Sequence, residues 1–223
     1  KEAVEVFEKG LEELEDNVFL KRFYAPLLVN NGDLDRAMDF YEDALDVAPT
    51  DVPLMIEYAQ TLAKAEREFE IPAVLDNILK ANPDPNTRAE VLAWKTEITE
   101  PKRAEAVKTA EEKMVAGDFE GAAKDLRPLR NWLADYWKLW AVLAAANNRA
   151  GNHEEAKESA QRLLALYPGC EPGYAELMSA LSALGEHQEA FQLMQFAASQ
   201  LPQSLGIQIN LALAAKRAGE VEF

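Results

Sequence analysis

The chain has 223 residues, of which 48% are apolar, and its 39 Asp and Glu against 23 Lys and Arg give a net charge of −16. Phosphate backbones are held by Lys and Arg that release counterions, so this balance argues against a nucleic-acid partner, and no run approaches the ~18 apolar residues of a membrane span, so no membrane insertion is expected. The lone Cys170 excludes an intramolecular disulfide scaffold and leaves the redox compartment open, while 10 Gly and 11 Pro in a chain this apolar exclude a disordered one.

Residues 1–17 place Ala3, Phe7, Leu11 and Leu14, with Val4 alongside, on one helical stripe, the second helix of an interrupted hairpin. Residues 18–51 read as a complete helical hairpin. Tyr24, Ala25 and Leu28 face the partner helix, Gly32 and Asp33 make the turn, Ala37 and Tyr41 start the second helix, and Pro49 closes it. Pro26 stands inside the first helix and is expected to bend it or delay its start, because it removes a hydrogen bond. Residues 52–85 keep this length with Met55, Tyr58, Ala59 and Leu62, but Glu66 holds the glycine slot and Ile71 the alanine slot. A longer turn is therefore expected, then a second helix over about 72–81, with Pro72 in its first turn. Residues 86–102 are half a hairpin in length; they suit a single helix over 87–99, with Pro101 opening the next.

From residue 103 the pattern resumes with Gly117, Ala122 and Leu126, and Pro128 interrupts the second helix. Trp132, Tyr136, Trp137 and Trp140 follow, divided by a loop at about 133–135. They read as a hydrophobic plug at a junction between hairpins, the alternative being an exposed aromatic platform for a sugar or a peptide. Residues 137–170 are the most regular stretch: Leu139, Val142, Leu143 and Ala146 form one stripe up to Gly151, and Ala156, Ala160, Leu163 and Leu164 a second, stopped by Pro168. Residues 171–204 repeat it with Tyr174, Leu177, Leu181, Gly185, Ala190, Met194 and Pro202. Residues 205–223 supply one more first helix and Gly219.

The recurrence is the strongest signal. Gly117, Gly151, Gly185 and Gly219 are 34 residues apart, as are Ala122, Ala156 and Ala190. The chain resembles the tetratricopeptide-repeat family, whose pattern is W-x2-L-G-x2-Y, then A-x3-F, then P. Trp140, Leu143, Ala156 and Pro168 match, while Ala144, Asn147 and Ala160 replace the Gly, Tyr and Phe. The resemblance implies an all-α fold, a right-handed α-solenoid of about thirteen helices stacked as 34-residue hairpins with no strand. Two segments are expected: 1–102, with a half repeat, two repeats and an irregular extra helix, and 103–223, with three repeats and a truncated fourth helix pair. Charge divides them as well, −13 over residues 1–100 and −3 over the remainder.

Little catalytic chemistry is visible. The two histidines, His153 and His187, hold the same place in successive repeats. Helix layers are about 8–10 Å apart, too far for one zinc about 2 Å from each ring. Cys170 has no evident activator, and no phosphate loop, metalloprotease stretch or nucleophile elbow occurs. No enzyme activity, metal or cofactor is expected. In the family the first helix of each hairpin lines a concave groove, which the resemblance places at Arg22, Phe23, Ile56, Glu57, Gln60, Lys108, Glu111, Lys138, Ala145, Asn148, Arg149, Glu176, Ser179, Ser182, Asn210, Lys216 and Arg217, with Glu90 and Trp94 of the extra helix as further candidates. Family members that clamp the acidic tails of heat-shock chaperones use Lys and Asn at slots that here hold Arg22, Pro26 and Glu57, so that clamp is absent.

The function expected from the resemblance is a non-catalytic scaffold that holds a protein or peptide segment. The alternative is a repeat module of a polysaccharide export or glycosyl-transfer assembly, its acidic surface guiding a cationic polymer or partner. The cytoplasm is the expected location, with the periplasm left open. Because Lys1 falls inside a repeat and Gly219 is followed by only four residues, a segment of a longer array is expected, its uncovered ends associating end to end.

Overall fold

The computed structural model describes residues 2–13 and 17–220, with side chains over 6–11 and 17–220. The placements expected for the side chains of Ala3 and Val4, and for Leu14, lie outside the described residues. Among the described residues there are thirteen α-helices and no strand. Contacts divide the chain into two compact units, Lys1–Asp84 and Pro85–Phe223.

The first unit holds α1 (Glu2–Glu13), α2 (Val18–Asn31), α3 (Leu34–Val47), α4 (Val52–Lys64) and α5 (Ile71–Lys80). The second holds α6 (Pro85–Thr99), α7 (Pro101–Val115), α8 (Phe119–Leu126), α9 (Trp137–Ala150), α10 (His153–Leu166), α11 (Glu171–Ala183), α12 (His187–Gln200) and α13 (Leu205–Ala218). Helices α2 and α3, α4 and α5, α7 and α8, α9 and α10, and α11 and α12 pair as antiparallel hairpins. Pro26 neither shortens nor delays α2, which runs from Val18 to Asn31 with the proline inside. A 3-10 turn over Arg127–Leu129 follows α8, where Pro128 ends the regular helix. Side chains cap several starts: Asn17, Asp51, Asp118 and Ser204 each accept from the amide three residues on.

One turn ends every first helix in the same way. Gly32, Gly117, Gly151, Gly185 and Gly219 all have φ between 81° and 85°. In each, the residue's N–H bonds a carbonyl three back and the next N–H one five back, as Gly151 N to Asn148 O and Asn152 N to Asn147 O. Glu66 adopts this conformation without being glycine: its φ is 57°, with Glu66 N on Ala63 O and Arg67 N on Leu62 O. The lost glycine therefore leaves the turn geometry intact and adds a longer connection, 65–70, before α5. Helix contacts need small residues at the crossing, and Ala37, Ala122, Ala156 and Ala190 are at most 1% exposed. Ile71 fills that slot in the second hairpin and is just as buried.

Helix α6 explains the half-length irregularity. The expected division at residue 102 placed it with the N-terminal segment, whereas its contacts lie in the second unit, with α7, α9 and α10. Asn86 Oδ1 accepts from Gly169 N at 2.7 Å, and Glu97 Oε1 accepts from Tyr136 Oη at 3.1 Å and pairs with Lys138 Nζ at 2.5 Å. Asn86 and Glu97 are separated by about 16 Å of helix at 1.5 Å per residue. The helix thus runs alongside the loops that join one hairpin to the next. Between its two ends Glu90 accepts from Tyr167, whose hydroxyl pKa burial and then this bond push up to about 12.

The tryptophan cluster divides as the loop requires. Tyr136 is buried, Trp140 Nε1 donates to Ala134 O at 3.0 Å, and Trp137 meets the Tyr167 ring edge-on at 5.1 Å. Trp132 is 68% exposed, with the Arg103 guanidinium 4.3 Å over its ring.

Candidate partner-binding groove

In the second unit the first helices α7, α9, α11 and α13 follow one register, so residues 34 apart fall at matching places. Their inward stripes, Val107 and Ala110, Leu139 and Leu143, Tyr174 and Leu177, Ile207 and Leu211, are buried against the second helices. That burial fixes the opposite stripe toward the open side. Between α7 and α9 this open side forms a depression of about 360 Å3 lined by Glu111, Met114, Val115, Ala141, Val142, Ala145 and Arg149. Its floor is apolar and its charges stand apart, Glu111 on one helix and Arg149 on the other. Val115, at the end of α7, is 91% exposed. A smaller adjoining space of about 230 Å3 is lined by Glu97, Val107, Lys108, Glu111, Tyr136, Trp137, Lys138 and Ala141. Burial, then the Glu97 carboxylate, raises the Tyr136 hydroxyl pKa, so this phenol stays a neutral donor.

The residues expected to line a groove are placed as follows. Lys138 and Arg149 line these two spaces. Asn148, Arg149 and Glu176 are brought together: Asn148 Nδ2 donates to Glu176 Oε2 and to Glu176 O, both at 2.8 Å, and Arg149 Nη1 to Glu176 Oε1 at 3.3 Å. Ser179 is exposed on α11, Asn210 half-buried on α13, and Lys216 and Arg217 exposed in the last turn of α13, where the helix carbonyls favour cations. In the first unit Arg22 pairs with Asp51 at 2.6 Å, Phe23 is 64% exposed, Glu57 accepts from Tyr41 Oη at 3.3 Å, and Gln60 is exposed. Arg22 is thus tied to the residue that caps α4.

Met114, Val115 and Ala141 line the depression without having been singled out in the sequence, while Val142, read as part of an inward stripe, is buried and also borders it. The signal existed for the first two, which lie 34 residues before Asn148 and Arg149; their apolar character hid them, because apolar helix residues read as core. Among the described residues no group of three or more His, Cys, Asp and Glu comes together to hold a metal ion, and no helix is long and apolar enough to cross a membrane.

Residues 25–51, which span most of α2, its glycine turn and α3, match the family model for the tetratricopeptide repeat. With the hairpin and its turn recurring at the same 34-residue step, the repeat extends beyond the matched residues. The fold is that of a tetratricopeptide-repeat protein. The architecture of such a protein is that of a scaffold for protein interactions, with the repeats stacked to present an extended surface. A second family model, the bacterial transcriptional activator domain, matches residues 114–218, from the end of α7 to the end of α13.

Solved structures of other tetratricopeptide-repeat proteins are similar to this one. YrrB, a protein with an unusual peptide-binding site, is 14% identical over 91% of this chain and 95% of its own, with a TM-score of 0.41. The tetratricopeptide domain of P58(IPK) is 14% identical over 99% of this chain and 61% of its own, at 0.49. The TPR2AB domain of yeast Sti1, in complex with pHSP90, is 15% identical over 96% and 91%, at 0.44. No curated protein is significantly similar to the chain in sequence.

Proposed function

We propose that this repeat protein holds a segment of a partner protein in the groove formed by the first helices of its second unit. The observation that carries the reading is the depression between α7 and α9, where Met114, Val115, Ala141, Val142 and Ala145 form an apolar floor with Glu111 and Arg149 beside it. Small residues at Ala141 and Ala145 leave room for a side chain of the partner, and separated charges of opposite sign give it an orientation. Apolar burial supplies affinity and the charges supply register.

The test is to identify the partner by affinity capture with the intact protein and then to fill the groove. Ala145→Trp is expected to abolish capture, whereas Glu158→Trp, on the exposed side of α10, is expected to leave it unchanged. Capture that survives Ala145→Trp in a folded protein refutes the groove.

A second reading draws on the bacterial transcriptional activator domain match over residues 114–218. In it the groove serves a regulator of transcription, its partner being another protein of that apparatus rather than DNA, which a net charge of −16 disfavours. Captured subunits of the transcription machinery support this reading; partners unrelated to transcription refute it.

A further inference from the structure

Helix α6 is attached at both ends to loops that hold matching places in the repeat. At one end Asn86 Oδ1 accepts from Gly169 N at 2.7 Å, in the loop between α10 and α11. At the other, Glu97 Oε1 accepts from Tyr136 Oη at 3.1 Å, just before α9, and pairs with Lys138 Nζ at 2.5 Å in its first turn. Tyr136 precedes Cys170 by the repeat step of 34 residues, and Gly169 is the neighbour of Cys170, so α6 joins the same loop of two successive hairpins. Between its ends Tyr167 is held from two sides, by Glu90 through its hydroxyl and by the Trp137 ring at 5.1 Å.

In a stack of hairpins each one touches only its neighbours, so the angle between them is set by the helix contacts and the connecting loop. A helix is stiff over the ~16 Å from Asn86 to Glu97 and adds a restraint of its own. Its attachment is largely polar. The buried side chains of α6 are Ala89, Val91 and Ala93, whereas Leu92, Trp94 and Ile98 are half-buried. By contrast α9 buries Leu139 and Leu143 completely. Apolar burial is non-directional, while hydrogen bonds fix distance and angle, so the bonding of α6 suits a part that sets position. The matching loop before α13 is built differently, with local bonds from Ser204 N to Leu201 O and from Ile207 N to Ser204 Oγ.

We propose that α6 is a splint, which fixes the rotation of the α9–α10 hairpin against its neighbours and so holds the depression between α7 and α9 at its width. This role is independent of any partner. The depression is lined by no residue of α6. Its Met114 stands in the last turn of α7, and its Ala145 two turns beyond the Lys138 that Glu97 holds. A turn of α9 about its held end moves Ala145 relative to Met114.

The test uses the full chain and no ligand, following the methyl signals of Met114 and Ala145 by NMR. Asn86→Ala with Glu90→Ala frees the α10–α11 loop, Glu97→Ala frees the α8–α9 loop, and the three together free both. Alanine is the best helix former, so α6 is expected to stay helical by circular dichroism. A splint bridges only while both ends hold. Freeing either end is therefore expected to shift both methyl signals by more than a linewidth, and freeing the second end to add little. The methyls of Ile209 and Leu213 on α13 are expected to stay in place. Unchanged Met114 and Ala145 signals, a response confined to Glu97→Ala, or effects of the two ends that add in full overturn the splint. If the three-site variant does not fold, the two one-end variants decide on the same signals, equal shifts supporting the splint and a shift from one end alone refuting it. Partner capture judges the groove and these signals judge the splint, so each falls separately.

Discussion

Glu66 offers a direct measure of how strongly the repeat turn is imposed on the chain. At this slot the other first helices use glycine, yet Glu66 has φ of 57° and makes the same pair of backbone hydrogen bonds, through its own N–H to Ala63 O and that of Arg67 to Leu62 O. A left-handed conformation costs a residue with a Cβ about 1–2 kcal/mol. Glu66→Gly removes that cost but gives the unfolded chain more freedom, which offsets about 0.4–1 kcal/mol of it. The side chain is exposed, so its loss adds little. The net expectation is a gain of about 0.5–1 kcal/mol in the first unit. With a slope of roughly 1–3 kcal/mol/M in urea, the midpoint rises by about 0.3 M at unchanged slope. Urea unfolding followed by circular dichroism measures it, and Glu66→Ala serves as the control that removes the carboxylate while retaining the Cβ. A midpoint that is unchanged or lower in Glu66→Gly, or raised equally in Glu66→Ala, refutes the reasoning.

Other outcomes follow from single contacts. Leu143 is fully buried in the core shared by α7, α8 and α9, so Leu143→Ala is expected to cost about 2–5 kcal/mol in thermal or urea unfolding of the second unit. Asn86→Ala removes the acceptor of the Gly169 amide, and exchange of that amide is expected to speed up by roughly threefold to tenfold, the equivalent of about 0.5–1.5 kcal/mol. Hydrogen bonds from Arg36 and then Tyr24 hold the Glu8 carboxyl below its ordinary value of 4.5, so this group contributes stability above that pH and loses it as pH falls through the lowered folded value. Tyr24 acts at the other end of the scale: burial and then Glu8 push its hydroxyl up to about 12, so its contribution is present below pH 10.0 and lost as pH rises toward 12. Glu8→Gln is expected to flatten the acid limb of a stability-versus-pH curve for the first unit, and an unchanged acid limb refutes the assignment.

The hairpins were legible because helical periodicity and turn chemistry are local. A stripe such as Leu139, Val142, Leu143 and Ala146 needs only its own helix to be recognised, and Gly151 marks its end through the backbone angle that it permits. The same register located Glu66 and gave α5 within a residue of where it runs, Ile71–Lys80. What the sequence left undetermined depended on contacts between distant residues. The path of α6 is decided by Asn86 meeting Gly169, 83 positions away, and by Glu97 meeting Tyr136 and Lys138. Nothing in the composition of a 15-residue helix shows which loops it will run beside. Met114 and Val115 have the residue types of core positions, and only the packing of α7 against α9 leaves them on the open side. Asn148, Arg149 and Glu176 were each readable as polar groove residues, but their union was not, because it requires α9 and α11 to stand side by side with their faces in register. Periodicity is written into each helix on its own; the groove and its charges exist only between helices, where the order of packing and the reach of individual side chains decide which groups meet.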